Sequence, residues 1–161
     1  MTPEEMRDKA IDLFRKRFHW SQAILAVCQE KTNMVDESAV RAVGAYGGGI
    51  ASSGNVCGIL LGGVAMISSL YSRGNLDEKE NPRLWGLSKK FLQKFEELTE
   101  PYGGMDCRDI AGIDWNDRIA VKNYYANPFS SRKICIRLVG EAAHILGELL
   151  EQEAAREKAE K

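Results

Sequence analysis

The sequence predicts an all-α fold, and three observations support this class. Apolar residues recur at spacings of three and four over long stretches, which is the periodicity of a helix with one buried face. Residues that start helices precede several of these stretches, and glycine or proline follows them. No stretch shows the alternation of a half-buried strand. We therefore expect a single domain over residues 1–161, built as a bundle of about five or six helices.

The first three helices are predicted from their starts and their apolar stripes. Residues 2–5 (TPEE) place threonine at the N-cap, proline at the first helical position and Glu5 where it completes a capping box. A second helix is expected near residues 21–31. A short third helix is expected from Asp36-Glu37 to Tyr46, where a glycine-rich stretch ends it.

The fourth helix is predicted from about Asn55 to Ser72, after a loop rich in glycine and serine. Its most apolar part, residues 56–70, is shorter than the roughly 20 residues that a bilayer crossing requires. We therefore expect a buried helix and no membrane insertion.

The remaining elements follow from the same signals. Asn81-Pro82 opens a fifth helix, which closes at Pro101. A single helical turn is expected over residues 106–111, and an aromatic loop over 115–129. The last helix begins near Ser130, and its charged tail, from about residue 152, is expected to project into solvent or fray.

Charge and the chain start bear on partners and location. The 22 basic and 23 acidic residues give a net charge of -1, which does not indicate a nucleic-acid partner. The first residues are charged and lack the apolar core and cleavage site of a secretory signal, so the sequence predicts a cytoplasmic protein.

The residues most able to form a reactive or metal-binding site are four cysteines, at positions 28, 57, 107 and 135. No CxxC pair is present, so the strongest zinc and thioredoxin-like patterns are missing. Any site that uses these thiols must be assembled by folding.

Cys57 stands out because seven of the fifteen glycines lie around it, in residues 47–63. With a helix start at Asn55, this thiol lies in the first helical turn, where free amides and the helix dipole favour an anion. The pattern predicts a reactive thiolate, with bare backbone making room beside it for a second group. A structural alternative stays open, because the spacing of Gly58 and Gly62 also suits close helix packing and buried cysteines are commonly inert.

The chain resembles a known family in three segments. These are Gly48-Gly49 with residues 54–62 around Cys57, then Cys107-Arg108-Asp109-Ile110, then residues 135–139. Together they resemble the redox-active protein family named for its Cys, GCAxxG, Cys, Cys pattern, over about residues 14–150. The resemblance implies a small helical protein whose cysteines are redox-active or hold a redox centre. The site residues that it implies are Cys57, Cys107, Cys135, Gly48, Gly49, Gly54, Gly58 and Trp20.

One position departs from that pattern. The family's first cysteine precedes a Ser-Gln-Ala segment, and here Trp20 occupies its place. Cys28 lies eight residues further on, which is about two turns and about 80° around a helix, so it does not simply replace a residue at position 20. The sequence does not assign a role to Cys28.

Three functions remain open on the sequence alone. The first is a cytoplasmic thiol-based redox protein without a cofactor, in which Cys57 is the nucleophile, Cys107 or Cys135 resolves it, and the redox partner is unknown. The second is an electron-transfer protein that binds a metal or an iron-sulfur cluster through the same thiols, with His19 or a ligand from outside the chain as the fourth. The third is a noncatalytic helical interaction domain. Apolar surface on the fourth and last helices is compatible with a homodimer.

Overall fold

Helices account for all the regular structure of the chain. The computed structural model describes every residue from Met1 to Lys161, and it contains no β-strand. Two short 3-10 helices, Gly44–Tyr46 and Glu100–Tyr102, accompany the α-helices. The α-helices are α1 (Pro3–Arg15), α2 (Trp20–Thr32), α3 (Glu37–Ala42), α4 (Gly58–Tyr71), α5 (Arg83–Thr99), α6 (Cys107–Ile110), α7 (Arg118–Ala126) and α8 (Arg132–Ala159). The all-α class is confirmed, and the count is eight rather than five or six.

The five long helices α1, α2, α4, α5 and α8 form the bundle. α8 packs along α1, while α2 contacts α1, α4 and α8, and α5 covers the far side of α4. Their inner faces supply most of one cluster of 31 buried hydrophobic residues. α8 includes the tail expected to fray and stays helical to Ala159. There Glu153 is buried and pairs with Arg83 of α5 at 3.1 Å.

The helix starts follow local capping chemistry. The Thr2 hydroxyl accepts the Glu5 N–H, and the Glu5 carboxylate accepts the Thr2 N–H at 2.7 Å, which is the predicted capping box. The carboxylates of Asp36 and Asp117 cap α3 and α7 in a similar way. These contacts satisfy backbone donors that would otherwise lack a partner.

Three predicted elements need correction. The third helix ends at Ala42, and a 3-10 turn completes the segment to Tyr46. The fourth begins at Gly58 instead of Asn55, because residues 55–57 are extended and pair with another part of the chain. The aromatic loop contains α7, whose only buried residue is Tyr124, so its sequence lacks the repeated apolar stripe that marks the other helices.

The glycines of α4 serve helix packing. A Cβ on Gly62 would lie 2.5 Å from the carbonyl oxygen of Ser21, and a Cβ on Gly63 would lie 2.2 Å from the ring of Phe91. α2 and α5 therefore approach this helix more closely than any side chain would allow. The prediction that these two glycines leave an open face for a second group is wrong, because protein atoms fill that face.

No α-helix combines the length and the apolar character needed to cross a membrane.

Replacing Gly62 with alanine should cost about 2 kcal/mol or more, because the new methyl group would collide with backbone atoms of α2 that cannot rotate away. Urea unfolding of the purified protein measures the loss. Gly86→Ala is the matched control. Its site on α5 has no atom within 4 Å, and the substitution should stabilise the helix by about 0.5–1 kcal/mol. Equal stabilities for the two variants would contradict the packing role.

Candidate functional site

A left-handed loop leads into the region of Cys57. Five consecutive residues, 48–52, have φ between 50° and 71°, and three of them are not glycine. This conformation costs roughly 1–2 kcal/mol for each non-glycine residue. Backbone hydrogen bonds hold the loop, since the N–H groups of Gly54 and Asn55 donate to the carbonyls of Gly48 and Gly49 at 2.9 and 3.0 Å.

The loop packs directly on a second cysteine. A Cβ on Gly49 would lie 2.7 Å from the Cβ of Cys107 and 2.4 Å from the carbonyl oxygen of Asn55. A Cβ on Gly48 would lie 2.8 Å from the Cα of Ser52. The bare backbone at these positions therefore allows the loop to close on itself and to contact Cys107.

An isolated antiparallel bridge joins the two segments that carry Cys57 and Cys107. Val56 pairs with Asp106. The Cys57 N–H donates to the carbonyl of Met105 at 3.0 Å, and the Cys107 N–H donates to the carbonyl of Asn55 at 2.7 Å. Because side chains alternate along extended backbone, both cysteines lie on the face opposite to Val56 and Asp106.

Arg108 fixes this bridge from the outside. Its backbone N–H and its Nε both donate to the carbonyl of Gly54 at 3.0 Å, and its guanidinium also bonds the side chain of Asn55. Gly54, with φ of 75°, lies against the Arg108 side chain. The loop, the bridge and α6 therefore form one connected unit.

Three of the four cysteines come together. Cys57 is the N-cap of α4, Cys107 is the first residue of α6, and Cys135 lies in the first turn of α8. All are buried and free. Charge on Cys135 or Cys107 raises the pKa of Cys57, and charge on Cys107 raises the pKa of Cys135, so the three thiols share one region of the interior. Cys28 lies apart in the core, and none of the other thiols shifts its pKa.

Aromatic rings surround these thiols. The ring centroids of Trp20 and Trp115 are 5.5 Å apart, and Tyr124 lies 5.1 Å from Trp115 and 6.5 Å from Trp20. The indole N–H of Trp115 donates to the sulfur of Cys107 at 3.2 Å. We call this set the thiol cage; it comprises Cys57, Cys107, Cys135, Trp20, Trp115 and Tyr124.

Burial controls the ionisation of the cage. It raises the pKa of Cys57 far above the usual range, and the amides of Ile59 and Leu60 offset only part of that rise. Burial raises the pKa of Cys135 to about 12, against hydrogen bonds from Tyr124 and Trp20 that lower it. The prediction that a helix start makes Cys57 a thiolate at neutral pH is therefore wrong, because desolvation outweighs the amide contribution.

Cys107 has the least perturbed thiol of the cage. Burial raises its pKa and nearby Asp106 adds to the rise, but the indole N–H of Trp115 acts against both. A surface pocket lined in part by Ser53, Arg108 and Trp115 opens beside this segment. Cys107 is thus the cage thiol that ionises most readily, and its contacts Arg108 and Trp115 line this pocket.

Other predicted site residues have structural positions. His19 is the N-cap of α2, and it is exposed and lies beside Gly47. It is not among the groups that shift the pKa of a cage thiol. Gly58 begins α4, where a Cβ would lie 2.9 Å from the carbonyl oxygen of Tyr46. No group of three or more His, Cys, Asp or Glu side chains has an arrangement that could hold a metal ion.

Trp115 and Tyr124 were not predicted as site residues. Both lie in the segment that the sequence marks only as an aromatic loop. The available indication was its density of aromatic side chains, but nothing in their spacing shows which rings turn inward.

The match to a known family covers most of the chain. A family model described as "Putative redox-active protein (C_GCAxxG_C_C)" matches residues 18–149, which include the whole thiol cage. Around the second cysteine of that pattern this chain reads Val56-Cys57-Gly58. No curated protein and no solved structure matches the chain.

The raised pKa of Cys135 predicts a loss of stability at high pH. In the unfolded chain this thiol ionises near pH 8.5, whereas the folded state keeps it protonated to about 12. Its contribution is fully present below pH 8.5 and falls by about 1.4 kcal/mol per pH unit above it. Urea unfolding between pH 8 and pH 10 should therefore show a smaller decline for Cys135→Ser than for the unsubstituted protein. Parallel declines would contradict the assigned protonation state.

Proposed function

Because the chain belongs to the family described as "Putative redox-active protein (C_GCAxxG_C_C)", we propose that its caged thiols are the redox-active groups and that they carry out thiol–disulfide exchange. The observation that supports this most is the assembly of Cys57, Cys107 and Cys135 from remote segments into one aromatic cage. The proposal places the protein in the cytoplasm, where a partner dithiol returns the cage to its reduced state.

Cys107 is the thiol that reacts first with a partner. The sequence favoured Cys57 for this role, but burial keeps Cys57 protonated and α4 begins directly after it. Cys107 adjoins the pocket at Arg108 and Trp115, and the indole N–H stabilises negative charge on its sulfur.

Cys135 closes the internal disulfide. The phenol of Tyr124 and the indole of Trp20 lower its pKa, so both act in favour of its thiolate. Charge on Cys107 also raises the pKa of Cys135, which supports the pairing of these two thiols. Cys57 is the alternative disulfide partner of Cys135. Charge on Cys135 raises the pKa of Cys57 more than charge on Cys107 does.

The exchange balances in two steps. The Cys107 thiolate attacks one sulfur of a partner disulfide, which breaks that S–S bond, forms a mixed disulfide and releases one partner thiolate. Cys135 passes its proton to the released partner thiolate and attacks the Cys107 sulfur, which forms the internal disulfide and releases the second partner thiolate. Two electrons pass from the cage to the partner. The reverse sequence, with a partner dithiol, restores the two cage thiols.

Oxidation with a low-molecular-weight disulfide should produce one internal disulfide, seen as the loss of two hydrogen atoms by mass spectrometry and mapped to Cys107 and Cys135. Cys107→Ser should reduce the rate of exchange at least tenfold, because the remaining cage thiols are more strongly protonated. Cys28→Ser removes a buried thiol outside the cage and is the matched control, with an unchanged rate. Exchange that survives in Cys107→Ser and fails in Cys28→Ser would refute the assignment.

A further inference from the structure

Residues 112–130 leave the bundle and return to it at the same place. The Ser131 hydroxyl donates to the carbonyl of Ala111 at 2.5 Å, so the two residues that flank this segment lie together. Gly112, directly after this junction, has φ of 61°, a conformation that glycine adopts without strain. The segment contains α7 and the turns on both sides of it. It is therefore attached to the bundle at one junction.

Few contacts join this segment to the rest of the protein. Tyr124 is its only buried residue, and Ile113 and Trp115 are partly buried. Apart from the bonds of Ser130 that continue into α8, one hydrogen bond leaves the segment, from the Trp115 indole to the sulfur of Cys107. Its other hydrogen bonds are internal. A segment with so few buried contacts opens at a lower free-energy cost than the helices of the bundle.

The segment also covers the thiol that reacts first in the proposed function. Cys107 is 6 % exposed, and the Trp115 indole contacts its sulfur at 3.2 Å. The loop at Gly49 packs on the Cβ of the same residue, and backbone hydrogen bonds hold that loop. Because the covering segment has the weaker attachment, a partner disulfide reaches Cys107 by displacing Trp115.

The hydrogen bond that holds the segment depends on the state of this sulfur. A thiolate is a strong acceptor for the Trp115 indole N–H, because its negative charge assists the bond. The sulfur of a disulfide carries no such charge, and its second covalent bond places another sulfur about 2.0 Å away. Oxidation of Cys107 therefore weakens the one hydrogen bond that the segment makes to the thiol cage.

We propose that residues 112–130 are a redox-controlled lid, which covers the thiol cage while Cys107 is reduced and opens when the sulfur of Cys107 enters a disulfide. This inference rests on the proposed function, because that function is what oxidises Cys107. The open lid uncovers the disulfide for the partner dithiol that reduces it, and reduction of Cys107 closes the lid again.

The test is hydrogen–deuterium exchange of the full-length protein, measured by mass spectrometry on the reduced form and on the form treated with oxidised glutathione. Peptide mapping identifies the disulfide at Cys107. The amides of α7 should exchange at least fivefold faster in the oxidised form, because the lid no longer bonds the sulfur. The amides of α1 and of residues 138–146 in α8 should change less than twofold, since they belong to the bundle.

Two variants isolate the hydrogen bond. Trp115→Phe keeps an aromatic ring and removes the indole N–H, so the α7 amides of its reduced form should exchange within twofold of the oxidised, unsubstituted protein. Trp85→Phe is the matched control, because the Trp85 indole donates to exposed Glu80 at 2.9 Å, and it should leave the exchange of both forms unchanged. If Trp115→Phe does not fold, the two redox forms of the unsubstituted protein decide the test.

The outcomes separate the two proposals. Equal exchange of α7 in both forms, with the disulfide present at Cys107, would overturn the lid and leave the proposed function intact. Faster exchange throughout the oxidised chain would show a general loss of stability and would also overturn the lid. Absence of any disulfide at Cys107 would overturn both proposals.

Discussion

The pairing of residues 55–57 with residues 105–107 is the constraint on which the site depends. Two backbone hydrogen bonds join segments that are fifty residues apart in the sequence, and they are the only strand-like pairing in a helical chain. They place Cys57 and Cys107 on one face of the paired segments. α4 begins directly after the first segment, at Gly58, and α6 begins within the second, at Cys107. The left-handed loop and Arg108 hold this pairing from outside. Without it, the thiols would have no common geometry.

Burial and helix geometry act in opposite directions on these thiols. A helix start offers free amides to an anion, but a sulfur enclosed by rings and helices loses the hydration that an anion requires. The desolvation is the larger effect at Cys57 and at Cys135. Donors aimed at sulfur are the remaining way to favour a thiolate in such a place. At Cys107 and Cys135 the indoles and the phenol are such donors, whereas at Cys57 the donors are the amides of Ile59 and Leu60.

The sequence predicts local features well and assembled ones poorly. The capping box at Thr2, the start of α5 after Pro82 and the single turn at Cys107 depend on neighbouring residues, and the structure has them. α7 was missed because one buried tyrosine makes no periodic pattern.

Properties of the site depend on distant parts of the chain. The gathering of three cysteines could be expected from the family resemblance alone, since spacing carries no information on which loops meet. The ionisation of Cys57 was predicted with the wrong sign, because the sequence shows the helix start but not the rings that enclose it. The glycines of α4 were predicted to leave free space beside the helix. Only the positions of α2 and α5 show that protein atoms fill this space.

Trp20 also determines how many sulfur atoms the cage contains. An indole occupies the place of the family's first cysteine, and its ring borders the cage, so the cage contains three thiols instead of four. Three is odd. Whichever two of these sulfurs join in a disulfide, one sulfhydryl of the cage stays unoxidised. In the proposed exchange, the oxidised state of this protein therefore keeps one free thiol beside the disulfide.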